Sequence, residues 1–328
     1  MLANGQSGFG TRTARLLTAG AIVATLFAYG CRSADANAAE RAVSRRQFRG
    51  LAALQVENPD SVIAECTRRI DADSTDIGAY MQRALAYDSK EGGHWKTEAD
   101  LKRVIRADSG NADAFFHLGF LELGYGDSEK NLTRAIGLDS TYSDAYCRLG
   151  WAYESKNKKK ALAYYAKAIE VAPDSASLAT AYTYRARLRR DMDAIEESYV
   201  DFEEALRLGK KEAFVYAEFG YVCLRLKKED EALALFTRAI ETDPKYYTHF
   251  SSEGRPFFER GQIYLQRGRF GEAADDFTRF IEMADSTDFF VSDAYQNRSD
   301  AYKKMGALEK AGADSVRARI DTNHRHCP

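Results

Sequence analysis

Tyr146-x-x-Leu149-Gly150-x-x-Tyr153, then Ala161-x-x-x-Tyr165, Ala168 and Pro173, is the stretch that decides the fold. It recurs as Tyr216-x-x-Phe219-Gly220-x-x-Cys223 with Ala232-x-x-x-Phe236, Ala239 and Pro244, and again as Phe257-x-x-Arg260-Gly261-x-x-Tyr264 with Ala273-x-x-x-Phe277. Self-similarity at this period marks a chain built of repeated supersecondary units. Two marker series run outward from it. A small residue of a first helix stands at Ala84, Gly119, Gly150, Ala186, Gly220, Gly261 and Ser299, and a matching site of a second helix at Val104, Ala135, Ala168, Ala205, Ala239, Phe280 and Ala318. Within a unit the two markers lie 20, 16, 18, 19, 19, 19 and 19 residues apart, the near-constancy that a two-helix unit with a fixed turn predicts.

The residue types follow from close packing. Small side chains let two antiparallel helices approach, and a large side chain fills the space beside them. Leu101, Leu132, Tyr165, Phe202, Phe236 and Phe277 stand where that filling is needed. The pattern resembles the tetratricopeptide repeat family, whose unit is a helix-turn-helix of about 34 residues. The resemblance implies an all-α fold, an α-solenoid of about seven to eight such units forming a right-handed superhelix, in which no unit buries its apolar face alone and stacking supplies the core.

Seven units are expected over 78–320. A degenerate one is expected before them over 41–77, where Gly50 and Arg69 are again 19 apart, Asn58-Pro59 reads as a cap followed by Pro at the first helical position, and Ile63, Cys66 and Ile70 share a face. Departures from the period mark loops. The step from Gly220 to Gly261 is seven residues long of the period, with the excess between Lys245 and Gly254; that from Gly261 to Ser299 is four long, around Asp288-Phe289-Phe290; the second full unit is three short, in its turn at Tyr125-Gly126-Asp127. The tail 321–328 is polar.

The amino end reads as an export signal. Arg12 and Arg15 precede an uncharged, mostly apolar run from Leu16 to Gly30. Fifteen residues at about 1.5 Å each fall short of a hydrocarbon core of about 30 Å, which disfavours a permanent membrane helix. Two processing routes compete on the sequence. Ala36-Asn37-Ala38 has the small-x-small pattern of ordinary signal cleavage, whereas Ala28-Tyr29-Gly30-Cys31 resembles the lipobox of bacterial lipoproteins, which makes 1–30 the signal peptide and leaves a lipidated Cys31 leading the mature chain at the start of a short linker over 31–40. In that family Leu is preferred where Ala28 stands and a small residue where Tyr29 stands. Arg32 after the cysteine resembles an outer-membrane sorting signal. Ser44-Arg45-Arg46-Gln47-Phe48 mimics a twin-arginine signal, but the apolar stretch behind it is too short. The expected location is the bacterial envelope, lipid-anchored on the periplasmic side of the outer membrane, with a soluble periplasmic or secreted protein as the alternative.

Composition narrows function by exclusion. Hydrophobic residues at 45% and charged residues at 29% argue against wholesale disorder and against a multi-span membrane protein. With 47 basic residues against 49 acidic ones, no overall field draws the chain to nucleic acid. No phosphate-cradling Gly-rich loop, His-Glu-x-x-His helix or Gly-x-Ser-x-Gly elbow occurs, so no catalytic residue, cofactor site or metal site is assigned. Cys66, Cys147 and Cys223 sit in units too far apart for disulfides and read as buried thiols. His324-Arg325-His326-Cys327 offers soft metal ligands, set against its place at a chain end.

The tetratricopeptide resemblance implies a concave groove lined by residues three before and one after each first-helix small site. Those positions hold Met81 and Leu85, Phe116 and Phe120, Cys147 and Trp151, Thr183 and Arg187, Ala217 and Tyr221, Phe258 and Gln262, Gln296 and Asp300. The expected partner groove is Phe116, Phe120, Trp151, Arg187, Tyr221, Phe258 and Gln262, aromatic in the middle and polar at its carboxyl end. Against it stands the reading that some of these rings pack on the next unit. Sub-families that grip a terminal carboxylate use Lys and Asn where Met81 and Leu85 stand, which argues against that mode. The expected function is a non-enzymatic scaffold or adaptor holding a protein or peptide in this groove, with membrane contact through a lipid on Cys31. The alternatives are a structural subunit of an envelope complex using its convex face, and an enzyme or metal carrier.

Overall fold

A computed structural model of the chain describes residues 58–122, 127–244, 255–284 and 290–324. Fifteen α-helices and no strands occur among them. In chain order they are α1 Pro59–Ala72, α2 Ile77–Asp88, α3 His94–Ala107, α4 Ala112–Leu121, α5 Ser128–Leu138, α6 Ser143–Tyr153, α7 Lys158–Val171, α8 Ser175–Asp191, α9 Ile195–Arg207, α10 Ala213–Arg225, α11 Glu229–Thr242, α12 Pro256–Gln266, α13 Phe270–Met283, α14 Val291–Lys304 and α15 Leu308–His324. The final helix runs four residues past 320, into the stretch expected to be tail. From α2 on, the helices pair into seven antiparallel hairpins, and α1 packs on α2 as the second helix of the preceding unit. The amino-terminal part of that unit, with Gly50, lies outside the described residues, as does Cys31.

Local chemistry starts these helices. Orphan amides of the first turn are capped by side-chain oxygens: Asn58 accepts from Ser61 N at 3.1 Å, Asp76 from Ala79 N at 2.9 Å, Asn111 from Ala114 N at 2.9 Å, Asn157 from Lys160 N at 3.0 Å and Asp174 from Ser177 N at 2.7 Å. Pro59 occupies the first turn of α1, where no amide hydrogen bond is lost.

The spacing of 19 has a physical origin in the turn. In the last four hairpins the first helix ends on a residue with positive φ seven positions after the small site: Asp193 at 63°, Lys227 at 59°, Gly268 at 73° and Gly306 at 77°. The next amide bonds back across the turn each time, Ala194 to Arg189 O at 2.9 Å, Lys228 to Cys223 O at 2.8 Å, Arg269 to Tyr264 O at 2.8 Å and Ala307 to Tyr302 O at 2.9 Å. This is the left-handed C-terminal cap that closes a helix end. The hairpin spaced 18 lacks it, and the hairpin spaced 20 has its positive-φ residue, Gly92 at 74°, one position later. Glycine supplies the conformation at two of the positions; Asp193 and Lys227 adopt it with a side chain.

Packing follows the marker series. The six filling residues Leu101, Leu132, Tyr165, Phe202, Phe236 and Phe277 are fully buried. A methyl group on Gly150 would sit 2.5 Å from the Tyr165 ring, one on Gly220 2.7 Å from Phe236, and one on Gly119 2.8 Å from Leu132. Only a small residue allows these helices their approach. Phe280, a bulky residue in a series of Ala and Val, is accommodated by rearrangement. Its ring is 5.2 Å from Phe258, which also meets Phe290 at 5.3 Å, and Arg255 lies 4.2 Å over Phe290. The residue that breaks the pattern therefore sits beside the longer connection of this unit.

A second repeated device crosses the interface between units. In four hairpins the residue before the small site is Arg and the residue before the filling site is Asp, and the two pair in a bidentate fork. Arg83 meets Asp100 at 2.8 and 2.9 Å, Arg185 meets Asp201 at 2.9 and 2.8 Å, Arg260 meets Asp276 at 2.8 and 2.7 Å, and Arg298 meets Asp314 at 2.7 and 2.8 Å. Three of these guanidinium groups also donate to a threonine on the preceding second helix: Arg83 to Thr67 at 3.1 Å, Arg260 to Thr237 at 3.2 Å and Arg298 to Thr278 at 2.9 Å. One side chain thereby pins three helices. The remaining hairpins carry Leu118 and Asn131, Leu149 and Tyr164, and Phe219 and Leu235 in the same slots.

Candidate functional site: the inner face of the first helices

First helices of neighbouring units touch directly, α6 with α8, α8 with α10 and α12 with α14, while among the described residues no pair of second helices makes comparable contact. The stack therefore curves toward the layer of first helices. Their free faces form its inner wall.

The structure divides the sequence-derived groove residues into two sets. Those three before the small site are core: Met81, Phe116, Cys147, Thr183, Ala217 and Phe258 are all buried, and only Gln296 in the final unit is exposed. Phe116 meets Tyr142 edge-on at 4.9 Å, and Phe258 sits among Phe277, Phe280 and Phe290. Neither ring is displayed to a partner, a correction to the expected groove. Those one after the small site face outward. Leu85, Phe120, Arg187, Tyr221, Gln262 and Asp300 are half-buried, and Trp151 is 43% exposed.

Around this row, besides Arg187, the wall carries the charges of Arg148, Glu154, Arg190 and Glu218, which the sequence reading did not single out. Arg148 lies 4.2 Å over the Phe120 ring, from α6 to α4. Arg187 approaches Glu154 at 3.8 Å and stands 5.8 Å over Phe214. Arg190, buried, pairs with the buried Glu218 of α10, bonds to Asp191 at 2.7 Å and lies 5.9 Å from the Tyr221 ring. Glu154 accepts from the Tyr165 hydroxyl at 2.5 Å. Burial nonetheless holds its carboxyl above the ordinary range, against the opposing pull of Tyr165 and Arg187. These residues had a positional signal: Glu154 and Arg190 follow their small sites by four, Arg148 and Glu218 precede theirs by two.

The other chemical candidates stay apart. Cys66, Cys147 and Cys223 are free and buried, and burial pushes the Cys223 thiol up to about 12, which leaves it protonated and unreactive. No cluster of metal-ligating side chains occurs among the described residues, and none of their helices is long and apolar enough to cross a membrane. Residues 325–328 of the His-rich tail lie outside the described residues.

Comparison with known proteins agrees with this architecture. Residues 143–175 and 215–246, spanning the α6/α7 and α10/α11 hairpins, match the tetratricopeptide repeat profile. No curated protein matches the sequence. Among solved structures, pilF of Pseudomonas aeruginosa is similar at 17% identity, covering 65% of this chain and 92% of that one with a TM-score of 0.54. Cut9 in its complex with Hcn1 is similar at 12% identity, covering 85% of this chain and 54% of that one with a TM-score of 0.55. YrrB, described as a TPR protein with an unusual peptide-binding site, aligns at 24% identity over 60% of this chain and 98% of that one with a TM-score of 0.46. The likeness to pilF and Cut9 speaks to fold alone. The chain is an α-solenoid of tetratricopeptide-type hairpins, two of which carry the family's sequence signature.

Proposed function

We propose that this chain is a non-enzymatic scaffold that holds a protein or peptide segment against the inner wall at α4, α6, α8 and α10. The observation that carries the reading is Trp151. It is 43% exposed on the curved-in face, in a chain whose packing rings are buried, with Phe120 on the neighbouring first helix α4 and Tyr221 two first helices further on, in α10. Large exposed aromatics in a concave setting are the anchors on which peptide surfaces concentrate binding energy.

The same proposal places the protein outside the inner membrane, held by lipid on Cys31. It is supported by Arg12 and Arg15 ahead of the apolar run that ends at Gly30-Cys31. A structural subunit working through its convex face is the competing reading; Trp95 at 67% and Val200 at 59% exposure stand on second helices and would serve it.

Recovery of partners from cross-linked cells, with wild type, Trp151→Ala and Val200→Glu compared, tests the two. A groove scaffold loses its partner with Trp151→Ala and keeps it with Val200→Glu; the reverse outcome establishes the convex face. Metabolic labelling with a fatty-acid analogue tests the anchor: wild type labels and Cys31→Ser does not, whereas an unlabelled wild type beginning at Ala39 overturns lipidation in favour of ordinary cleavage.

A further inference from the structure

Resting on the groove reading, we propose that the segment held at α4 and α6 carries an acidic side chain next to an aromatic or aliphatic one, the carboxylate docking on Arg148 and the apolar side chain on Trp151. Most arginines on the first helices of this chain are engaged by carboxylates. Arg83, Arg185, Arg260 and Arg298 are forked onto buried aspartates, Arg189 shares Asp201, Arg190 holds Glu218 and Asp191, and Arg187 faces Glu154. Among the arginines of the first helices Arg148 differs: it forms no ion pair with any described residue, and its guanidinium rests on the Phe120 ring instead.

A guanidinium stacked on an aromatic face keeps its edge hydrogens free. Held flat by the ring, the fork loses little further freedom when a carboxylate accepts from it. Phe120 thus orients Arg148 rather than neutralising it.

Trp151 supplies the second half of the site. It follows Arg148 by three residues, so the two side chains share a face of α6 about one turn apart, roughly 5 Å along the axis. In an extended segment, which rises about 3.3 Å per residue, side chains one or two residues apart span that distance. The acid and the apolar side chain are therefore close neighbours in sequence. Neighbouring first helices stand about 8–10 Å apart, so a segment continuing across the wall meets Arg187 about three residues later.

The test uses the full-length protein and a library of random 12-residue peptides joined to their carrier through the carboxyl end, so that only side-chain carboxylates are on offer. Enriched peptides are then synthesised with amidated ends and titrated by fluorescence anisotropy. The expected result is enrichment of Asp or Glu beside an aromatic or aliphatic residue. Changing that acid to its amide should weaken binding to wild type at least tenfold and leave binding to Arg148→Gln nearly unchanged. Arg148→Lys, which keeps charge but loses the stacked fork, should fall between.

Enriched peptides without an acid, or an acid-to-amide change felt equally by wild type and Arg148→Gln, overturn the inference. If peptides bind through Trp151 but not Arg148, the groove reading stands and this one fails. If nothing is enriched, or binding ignores both Trp151→Ala and Phe120→Ala, the groove reading fails and takes the inference with it. Circular dichroism of each variant keeps loss of fold distinct from loss of binding.

Discussion

Removing Arg260 should destabilise the solenoid far more than removing Arg260 and Asp276 together. The Asp276 side chain is 7% exposed and the Arg260 side chain 15%. Their two hydrogen bonds, at 2.8 and 2.7 Å, and the contact from Arg260 to Thr237 at 3.2 Å satisfy most of what burial takes from water. At an effective dielectric of about 20, unit charges about 4 Å apart attract by about 4 kcal/mol, which the desolvation of both groups largely offsets. The state of Asp276 reports that balance. Burial holds its carboxyl above the ordinary range although Arg260 pulls the other way.

Arg260→Ala leaves Asp276 buried without its fork, and the expected loss is about 3–5 kcal/mol. Arg260→Leu with Asp276→Leu installs the kind of apolar pair that Phe219 and Leu235 already form one unit earlier, and the expected change is within about 1 kcal/mol. Urea unfolding followed by circular dichroism gives the global stability. Hydrogen exchange in α12 and α13 shows whether loss is confined to this unit, as nearest-neighbour stacking predicts. A single variant losing less than about 1 kcal/mol, or a double variant losing as much as the single, would refute the reasoning.

Three further outcomes are expected. Phe236→Ala, at a fully buried ring, should lose about 3–5 kcal/mol in denaturant titration, whereas Trp151→Ala should stay within about 1 kcal/mol of wild type; equal losses would make Trp151 a core residue. Gly220→Ala, whose methyl would meet Phe236 at 2.7 Å, should lose about 1–3 kcal/mol, while Gly137→Ala, facing open space within α5, should gain up to about 1 kcal/mol. His117 is buried, and burial lowers its imidazole to about 4 from an ordinary 6.5. Between those values the unfolded chain binds the extra proton, so stability should fall as pH drops from about 6.5 toward 4, by as much as about 3 kcal/mol. His117→Leu should flatten that limb of a stability-against-pH curve. The raised carboxyls of Glu154, Asp88 and Asp276 act with the opposite sign and persist in the variant. An unchanged slope would place the titration elsewhere.

What the sequence determined by itself is the hairpin and its core. A small residue and its filling partner interact inside one unit through a fixed turn, so their spacing records the packing directly, and every filling residue from Leu101 to Phe277 is buried as that spacing requires. The ion-pair device was equally legible, since Arg83, Arg185, Arg260 and Arg298 recur beside their small sites and the matching aspartates beside the filling sites. A search for apolar markers alone passes over it. Tertiary structure decided which groove candidates are displayed. With about 3.6 residues per turn, the position three before the small site lies about 60° around the helix from it and the position one after about 100°. Both fall on one face in a helical projection. The nearer one is covered by the adjoining helices, as Phe116 and Phe258 are, while Phe120 and Trp151 stand clear. Likewise Arg148 is one charged residue among many in the sequence, and only the stacking of α6 on α4, which places Phe120 rather than a carboxylate beneath it, leaves its charge unspent.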